Sequence, residues 1–452
     1  MFTTRLRSAL GLLLVAGVAM SAAACGGDDD RTAGKDGKVT LVINGLPPAT
    51  EQAPHDRFLA NVAEFEKLNP TIDIDAREGK MDPQTFPAKL AGGQLEDVFY
   101  VYFTDPASLI AKRQVSDISK YLKDYPVTGQ LKPEVLRVFQ DDKGKTYGLP
   151  YKNYSMGLLY NRDLFKKAGL DPDSPPKTWA DVRTAAQKIT ALGNGTVGYG
   201  DYSKNNTGGW HFTTELYSLG GEVAVNQNGT WKAAFNSPQG KQVLQQLKDM
   251  RWTDNSMGQK QLLEWADLLQ QMGSGKLGMY LATADNIPTI VNQYKGKYET
   301  YGLGPIPDGK GTLGGGEGYM FKAGLSQEKI QAGLKWLTFW FTSADRYEAE
   351  DKWSSETKQP VGLPEPAIFT GAAAQTQAAA DKKYANVPQA NYAPFTASMG
   401  SIPVKLEPPN AQQIYATLDV AMQKVLTDRN ADVDKLLADA ETQVNQILSS
   451  VK

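Results

Sequence analysis

One cysteine and two histidines in 452 residues leave little for redox or metal chemistry. A lone Cys25 can form no internal disulfide, and it excludes every site built from several thiolates. His55 and His211 cannot alone furnish a histidine-rich metal centre, so neither a metal site nor a cofactor is expected. Charge of one sign is also lacking: 48 Lys and Arg stand against 50 Asp and Glu, a net of −2, with no basic block. That excludes a surface built to neutralise a phosphate backbone, and nucleic acid is not an expected partner. Enzyme motifs are missing too. Gly144-Lys145-Thr146 ends like a phosphate-binding loop, but Phe139 stands where its first glycine belongs, and neither H-E-x-x-H nor G-x-S-x-G occurs. The stretch from Gly309 to Gly314 satisfies G-x-G-x-x-G, yet it runs into more glycine rather than a helix and reads as a loop. No enzyme is expected. Two carboxylates facing across a cleft, all that a glycosidase needs, stay open.

What is present describes a large folded body behind an export signal. Of the residues, 41% are hydrophobic, and the length exceeds the ~250–300 residues that one core serves, so at least two lobes are expected. Arg5 and Arg7 precede an apolar stretch at 9–20, shorter than the ~20 residues of a spanning helix, and Ser21-Ala22-Ala23-Ala24-Cys25 follows. This predicts a cleavable signal over 1–24. The small residues before the only cysteine resemble a bacterial lipobox, with Ala22 in place of the commoner Leu, which implies lipidation of Cys25. The alternative is an ordinary secretory signal with a chance cysteine. The Gly- and Asp-rich stretch 25–38 then reads as a lipidated residue and flexible tether, and the expected location is extracytoplasmic, anchored to the cell membrane.

Beyond the tether, β-branched 39–44 predicts a strand. Phe58, Val62, Phe65 and Leu68 recur at helical spacing, and Asn69-Pro70 stops that helix. Strands at 71–75 and 97–102 with a helix at 83–91 complete a β-α-β-α-β alternation, the pattern of an α/β lobe with a parallel sheet. A second series follows residue 151: strands at 157–161 and 277–281, helices at 162–168, 178–190, 208–219, 238–251 and 262–272, and a turn at 226–229. The tail predicts two amphipathic helices, striped by Ile414, Leu418, Met422 and Val425, then by Val433, Leu436, Ala440, Val444 and Ile447.

The segments Tyr147-Gly148-Leu149-Pro150, Leu158 to Phe165 with Ala168-Gly169-Leu170, and Pro176-Lys177-Thr178-Trp179 appear in an order and at a spacing that resembles the extracellular solute-binding proteins of ABC importers, the family that includes the maltose-binding protein. Gly220-Gly221, Met272 to Met279, Gly304-Pro305-Ile306-Pro307 and Gly314-Gly315-Gly316 extend the likeness over nearly all of 39–452. The resemblance implies an α/β, two-lobed periplasmic-binding-protein-like fold with a hinge and an interlobe ligand cleft. The chain would cross between lobes near 152–154, 316–319 and 359–362. That gives a first lobe of 39–151 plus 318–360 and a second of 152–317 plus 361–452. It implies a monomer that captures a mono- or oligosaccharide by hinge closure and passes it to ABC permease subunits in the membrane. A non-sugar solute and a secreted carbohydrate-active enzyme remain alternatives.

A sugar site needs aromatic platforms for the apolar faces of pyranose rings and polar groups for their rims. Trp210, in Gly208-Gly209-Trp210-His211, matches a family position for a sugar-contacting aromatic; otherwise it is a core residue at a helix start. Asp285 falls near another family ligand position, or it caps the helix after it. Glu317 and Tyr319 follow the triple glycine, where backbone can approach a ligand closely. Tyr102 and Asp105 follow the strand segment at 97–101, at the carboxyl end where open α/β sheets bind ligands, although Asp105 is also placed to cap a helix. Glu51 follows the first strand, with a solvated loop charge as its alternative. Asn153 and Tyr154 lie at the first crossing. Trp179 reads as structural, while Trp252, Trp265 and Trp353 carry no assignment. His211 is read as a helix-surface residue with a ligand role open, and His55 as an exposed first-turn residue.

Overall fold

The computed structural model describes residues 37–82, 85–341 and 344–451. The expected signal over 1–24, Cys25 and most of the expected tether lie outside them. The strands are β1 (Val39–Leu46), β2 (Ile72–Glu78), β3 (Val98–Tyr102), β4 (Gly148–Ser155), β5 (Gly157–Asn161) and β6 (Val197–Tyr199). They continue with β7 (Ala224–Gln227), β8 (Thr230–Ala233), β9 (Leu277–Ala282), β10 (Tyr301–Gly304), β11 (Thr312–Phe321) and β12 (Val404–Lys405). The first sheet runs β12-β11-β3-β1-β2, with β4 also paired to β11, and the second runs β10-β5-β9-β6. β7 and β8 form a separate hairpin, closed by Asn228 and Gly229 at φ of 55° and 86°. Two successive positive φ values are what a tight primed turn demands.

Strand periodicity explains how each sheet buries both faces. In the second sheet Leu158, Tyr160, Met279 and Leu281 enter one core, while Leu159, Tyr280 and Ala282 enter the core on the opposite face. The first sheet divides likewise: Val98, Tyr100, Tyr319 and Phe321 point to one side, Phe99, Val101 and Met320 to the other. Successive side chains on a strand alternate faces, so an uninterrupted apolar run such as β9 fits only a sheet covered on both sides.

The two sheets are joined through β4 and β11. Only Met156 separates β4 from β5, so one nearly continuous extended segment leaves the first sheet and enters the second. β11 runs antiparallel beside it, Gly314 against Ser155 through Met320 against Gly148. Met156 is tied in turn to β11: its N–H donates to Leu313 O at 3.0 Å, and Thr312 Oγ1 donates to its carbonyl at 2.9 Å.

Several expectations shift. Leu68 is 64% exposed while Phe58, Val62 and Phe65 are buried, because the helix Gln52–Leu68 is ending there. In the last helix, Val433–Leu448, the fully buried stripe is Leu437, Ala440, Val444 and Leu448; Val433, Leu436 and Ile447 flank it. His211 is not on a helix surface but wholly buried. Past the third expected crossing the chain touches both cores in turn. Leu363 packs on the second sheet's core, Ile368, Phe369 and Ala373 join the first's, and Val387, Tyr392 and Phe395 return to the second's.

Candidate functional site

β1 and β3 are parallel, so their carboxyl ends emerge at one edge of the first sheet. Tyr102 ends β3, Glu317 lies opposite it on β11, and Lys152 lies opposite Glu317 on β4. Cross-strand partners share a face, so these three side chains form a row. Lys80, just beyond β2, places its Nζ 3.2 and 3.3 Å from the two Glu317 oxygens. Lys152 Nζ pairs with Glu365 at 2.7 Å. Burial opposes the charge on Lys152, but Glu365, then Asp285 and Glu317, outweigh it and hold the ammonium above its ordinary pKa. Asp105 accepts from Tyr102 N at 3.2 Å and Thr104 Oγ1 at 3.3 Å. Burial nonetheless pushes its carboxyl up to about 6.

Tyr154 follows two residues after Lys152 and lies on the same face, opposite Gly315. A side chain on Gly315 would strike the Tyr154 hydroxyl and come within 3.1 Å of Glu407 Oε2, so the glycine leaves room for a tyrosine and a carboxylate to converge. Glu407 accepts from the Tyr415 hydroxyl at 3.1 Å. Burial pushes it up to about 8, with that hydrogen bond opposing and the Asp105 carboxylate across the cleft adding to the rise. Burial, then Glu317 and Asp105, push the Tyr102 phenol up to about 12, which keeps it a neutral donor at physiological pH.

Trp210 stands edge-on to Tyr154, ring centroids 6.1 Å apart, and lies parallel to Tyr202 at 6.4 Å and 7°. It is partly exposed, so one face is supported and the rest is available. Its helix, Thr207–Ser218, starts without a side-chain cap of its own. Asp419 of the tail helix Ala411–Thr427 supplies one, accepting from Asn206 N at 2.9 Å and Gly209 N at 2.7 Å. A side chain on Gly208 would lie 2.7 Å from Asp419 Oδ1, and one on Gly209 would collide with the Tyr415 backbone. The glycines before Trp210 are therefore the contact that seats its helix against the tail. Beneath it, fully buried His211 pairs with Asp201.

The structure thus gathers Trp210, Tyr154, Glu317, Tyr102 and Asp105. Asp285 is exposed at the end of β9, accepting from Thr283 Oγ1 and from Asn286 Nδ2 without capping the following helix, and it acts on Lys152. Tyr319 is placed elsewhere: 2% exposed, it packs among Tyr100, Tyr151 and Trp340 with its hydroxyl against Gly45. Asn153 points to the opposite face of β4 from Tyr154. Glu51 is exposed before its helix and makes no capping bond. Trp179 is in the core, its indole N–H donating to Ser218 at 2.8 Å. Sequence reasoning missed Lys80, Lys152, Glu365, Glu407 and Asp419. Alternation along β4 places Lys152 on the face of Tyr154, a signal available only once this segment is read as a strand; the others reach the site only through long-range folding.

Residues 50–347 match the family described as bacterial extracellular solute-binding protein. The chain belongs to this family. Its members are binding proteins that work outside the cytoplasm. The solute-binding protein is 28% identical over 319 residues to a protein of Brucella abortus (strain 2308) named as a binding protein, covering 68% of each chain. It is 28% identical over 242 residues to UgpB of Brucella melitensis biotype 1, the sn-glycerol-3-phosphate-binding periplasmic protein, covering 49% of this chain and 51% of that one. In fold it is similar to an ABC transporter solute-binding protein of Thermotoga lettingae crystallised with α-D-tagatose, with a TM-score of 0.73, 23% identity, and coverage of 90% of this chain and 99% of the other. The fold is thus the two-lobed α/β architecture of that family. Among the described residues, no helix of the solute-binding protein is long and apolar enough to cross a membrane, and no three His, Cys, Asp or Glu are grouped to hold a metal ion.

Proposed function

We propose that the protein is the substrate-binding component of an ABC importer and that its cleft captures a neutral mono- or oligosaccharide. The reading rests on Trp210: an aromatic platform backed by Tyr202, beside hydroxyl and carboxylate groups that can bond sugar hydroxyls. The lobes would follow the two sheets, with β4 and β11 as the hinge. A ligand touching Tyr102 and Asp105 on one side and Trp210 and Glu407 on the other favours the closed form over the open one, and closure would present the surface a permease recognises. The kinship with a glycerol-3-phosphate binder supports a second reading, a phosphorylated polyol. The charges weigh against it. Asp105, Glu317, Glu407, Asp285 and Glu365 surround the site, and Lys80 and Lys152 are each already matched to a carboxylate.

Calorimetric titration with tagatose, maltose, mannitol and sn-glycerol-3-phosphate separates the readings. Neutral sugars or polyols are expected to bind and the phosphate to be excluded; binding of the phosphate alone would overturn the sugar assignment. Trp210→Ala is expected to weaken sugar binding by about 30-fold, the ~2 kcal/mol typical of removing a buried aromatic anchor. Unchanged affinity would remove Trp210 from the site. The anchoring through Cys25 is tested by Cys25→Ser, which is expected to release the protein from the membrane fraction; undiminished retention would refute lipidation.

A further inference from the structure

Behind the hinge, on the face of β4 and β11 turned away from Glu317 and Lys152, the fold encloses a cavity of ≈ 660 Å³. Its position follows from strand alternation. Tyr154 and Lys152 face the cleft, so Asn153 and Ser155 face the other way, and both line this cavity. Of the cleft residues, Tyr154, Gly315 and Glu365 also reach its wall. Phe103 and Val135 come from the first sheet's side; Met156, Ile306, Phe395 and Ile402 come from the second's. The size lies within the range of small-molecule sites, which are mostly apolar with a few placed polar groups.

Two observations indicate what the cavity would take. Asn153 Oδ1 is buried in its wall without a hydrogen-bond partner, and a buried acceptor left unpaired is costly until something donates to it. Val404 and Leu406, two large apolar residues 53% and 49% exposed, also line it. They carry the apolar wall of the cavity out to solvent. The charged residues on its lining, Lys132, Glu134 and Glu365, are of both signs and give no preference for a charged guest.

We propose that this cavity is a second ligand site, for a compact, uncharged, largely apolar cyclic or aromatic molecule carrying one O–H or N–H donor that satisfies Asn153. The proposal does not depend on which solute occupies the cleft. Because both lobes contribute walls, a guest there contacts the hinge from the side opposite the solute.

The test uses 2-naphthol and its methyl ether, which differ in the donor but scarcely in shape, titrated calorimetrically into the whole protein. The naphthol is expected to bind one-to-one and the ether at least about fivefold more weakly, the effect of one hydrogen bond. Asn153→Leu is expected to abolish the difference. Ala367→Phe, which narrows the cavity without touching Asn153, is expected to weaken both by about tenfold, and a soaked crystal is expected to show the naphthol beside Asn153. Absence of naphthol binding, equal affinity for the two compounds, or naphthol found instead beside Trp210 would overturn the proposal.

Discussion

At the scale of single residues, the chemistry of the cleft is set by carboxylates held where water is scarce. Glu407 and Asp105, more than 300 positions apart in the chain, are each pushed up by burial, to about 8 and about 6. A carboxyl whose pKa is raised by folding binds more protons folded than unfolded. Its stabilising contribution is therefore complete below the unfolded value of ~4.3 for Glu and is lost as pH rises through the folded value. Between about pH 5 and 8, stability is expected to decline as Glu407 is forced to ionise. Glu407→Gln should flatten that decline in thermal melts across this range, and a variant with the same slope as the parent would show that Glu407 is not the group responsible. Of the candidate residues, those whose roles depend on nearby backbone were legible in the chain. Trp210 after two glycines and Tyr102 and Asp105 at a strand end are examples. Glu407 was not, because nothing in Leu406-Glu407-Pro408-Pro409 announces a partner as distant as Tyr415's hydroxyl or Asp105.

At the scale of elements, helix and strand identity followed closely from local signals. Thr178 and Asp181 form the reciprocal capping box that opens Trp179–Thr190, and β9 is the continuous apolar run of a doubly covered strand. Local signals did not reveal how Thr207–Ser218 starts, since its cap is Asp419, 210 residues from Gly209. This makes Gly209 a test of element packing. Gly209→Ala places a methyl group against the Tyr415 backbone, which has no flexible end to yield, and the helices must separate. The expected cost is ~1–3 kcal/mol, read as a lower denaturation midpoint, together with weaker solute binding as Trp210 shifts. A stability equal to the parent's would mean that the two helices tolerate separation. The one-residue rotation of the buried stripe in Val433–Leu448 has a similar origin: Leu436 and Leu437 are both apolar, and only the packing partner selects between them.

For the whole molecule, two sheets linked through the continuous β4–β5 segment are expected to couple binding to shape. A solute bound between the lobes stabilises the folded protein by mass action, ~2.7 kcal/mol at a hundredfold excess over Kd. It should also compact the molecule by hinge closure. Small-angle scattering with and without the bound sugar is expected to show a smaller radius of gyration in the complex, and an unchanged radius would argue against closure. The segment carrying Ile368, Phe369 and Ala373 follows the third expected crossing, yet it packs on the first sheet's core.

The sequence by itself determined the α/β alternation, most element positions and the ordered motifs of the solute-binding family. Those properties reside in composition and in periods of two or 3.6 residues, which neighbouring residues express without help from the rest of the chain. Only the tertiary structure decided that Tyr319 belongs to the core and Tyr154 to the cleft, that Asn153 faces a different cavity from its neighbour, that Asp419 caps the helix bearing Trp210, and that Lys80, Lys152, Glu365 and Glu407 complete the charged lining. Each depends on which distant surface a side chain meets, and that is fixed when the long-range pairings of β4, β11 and the tail close, not before.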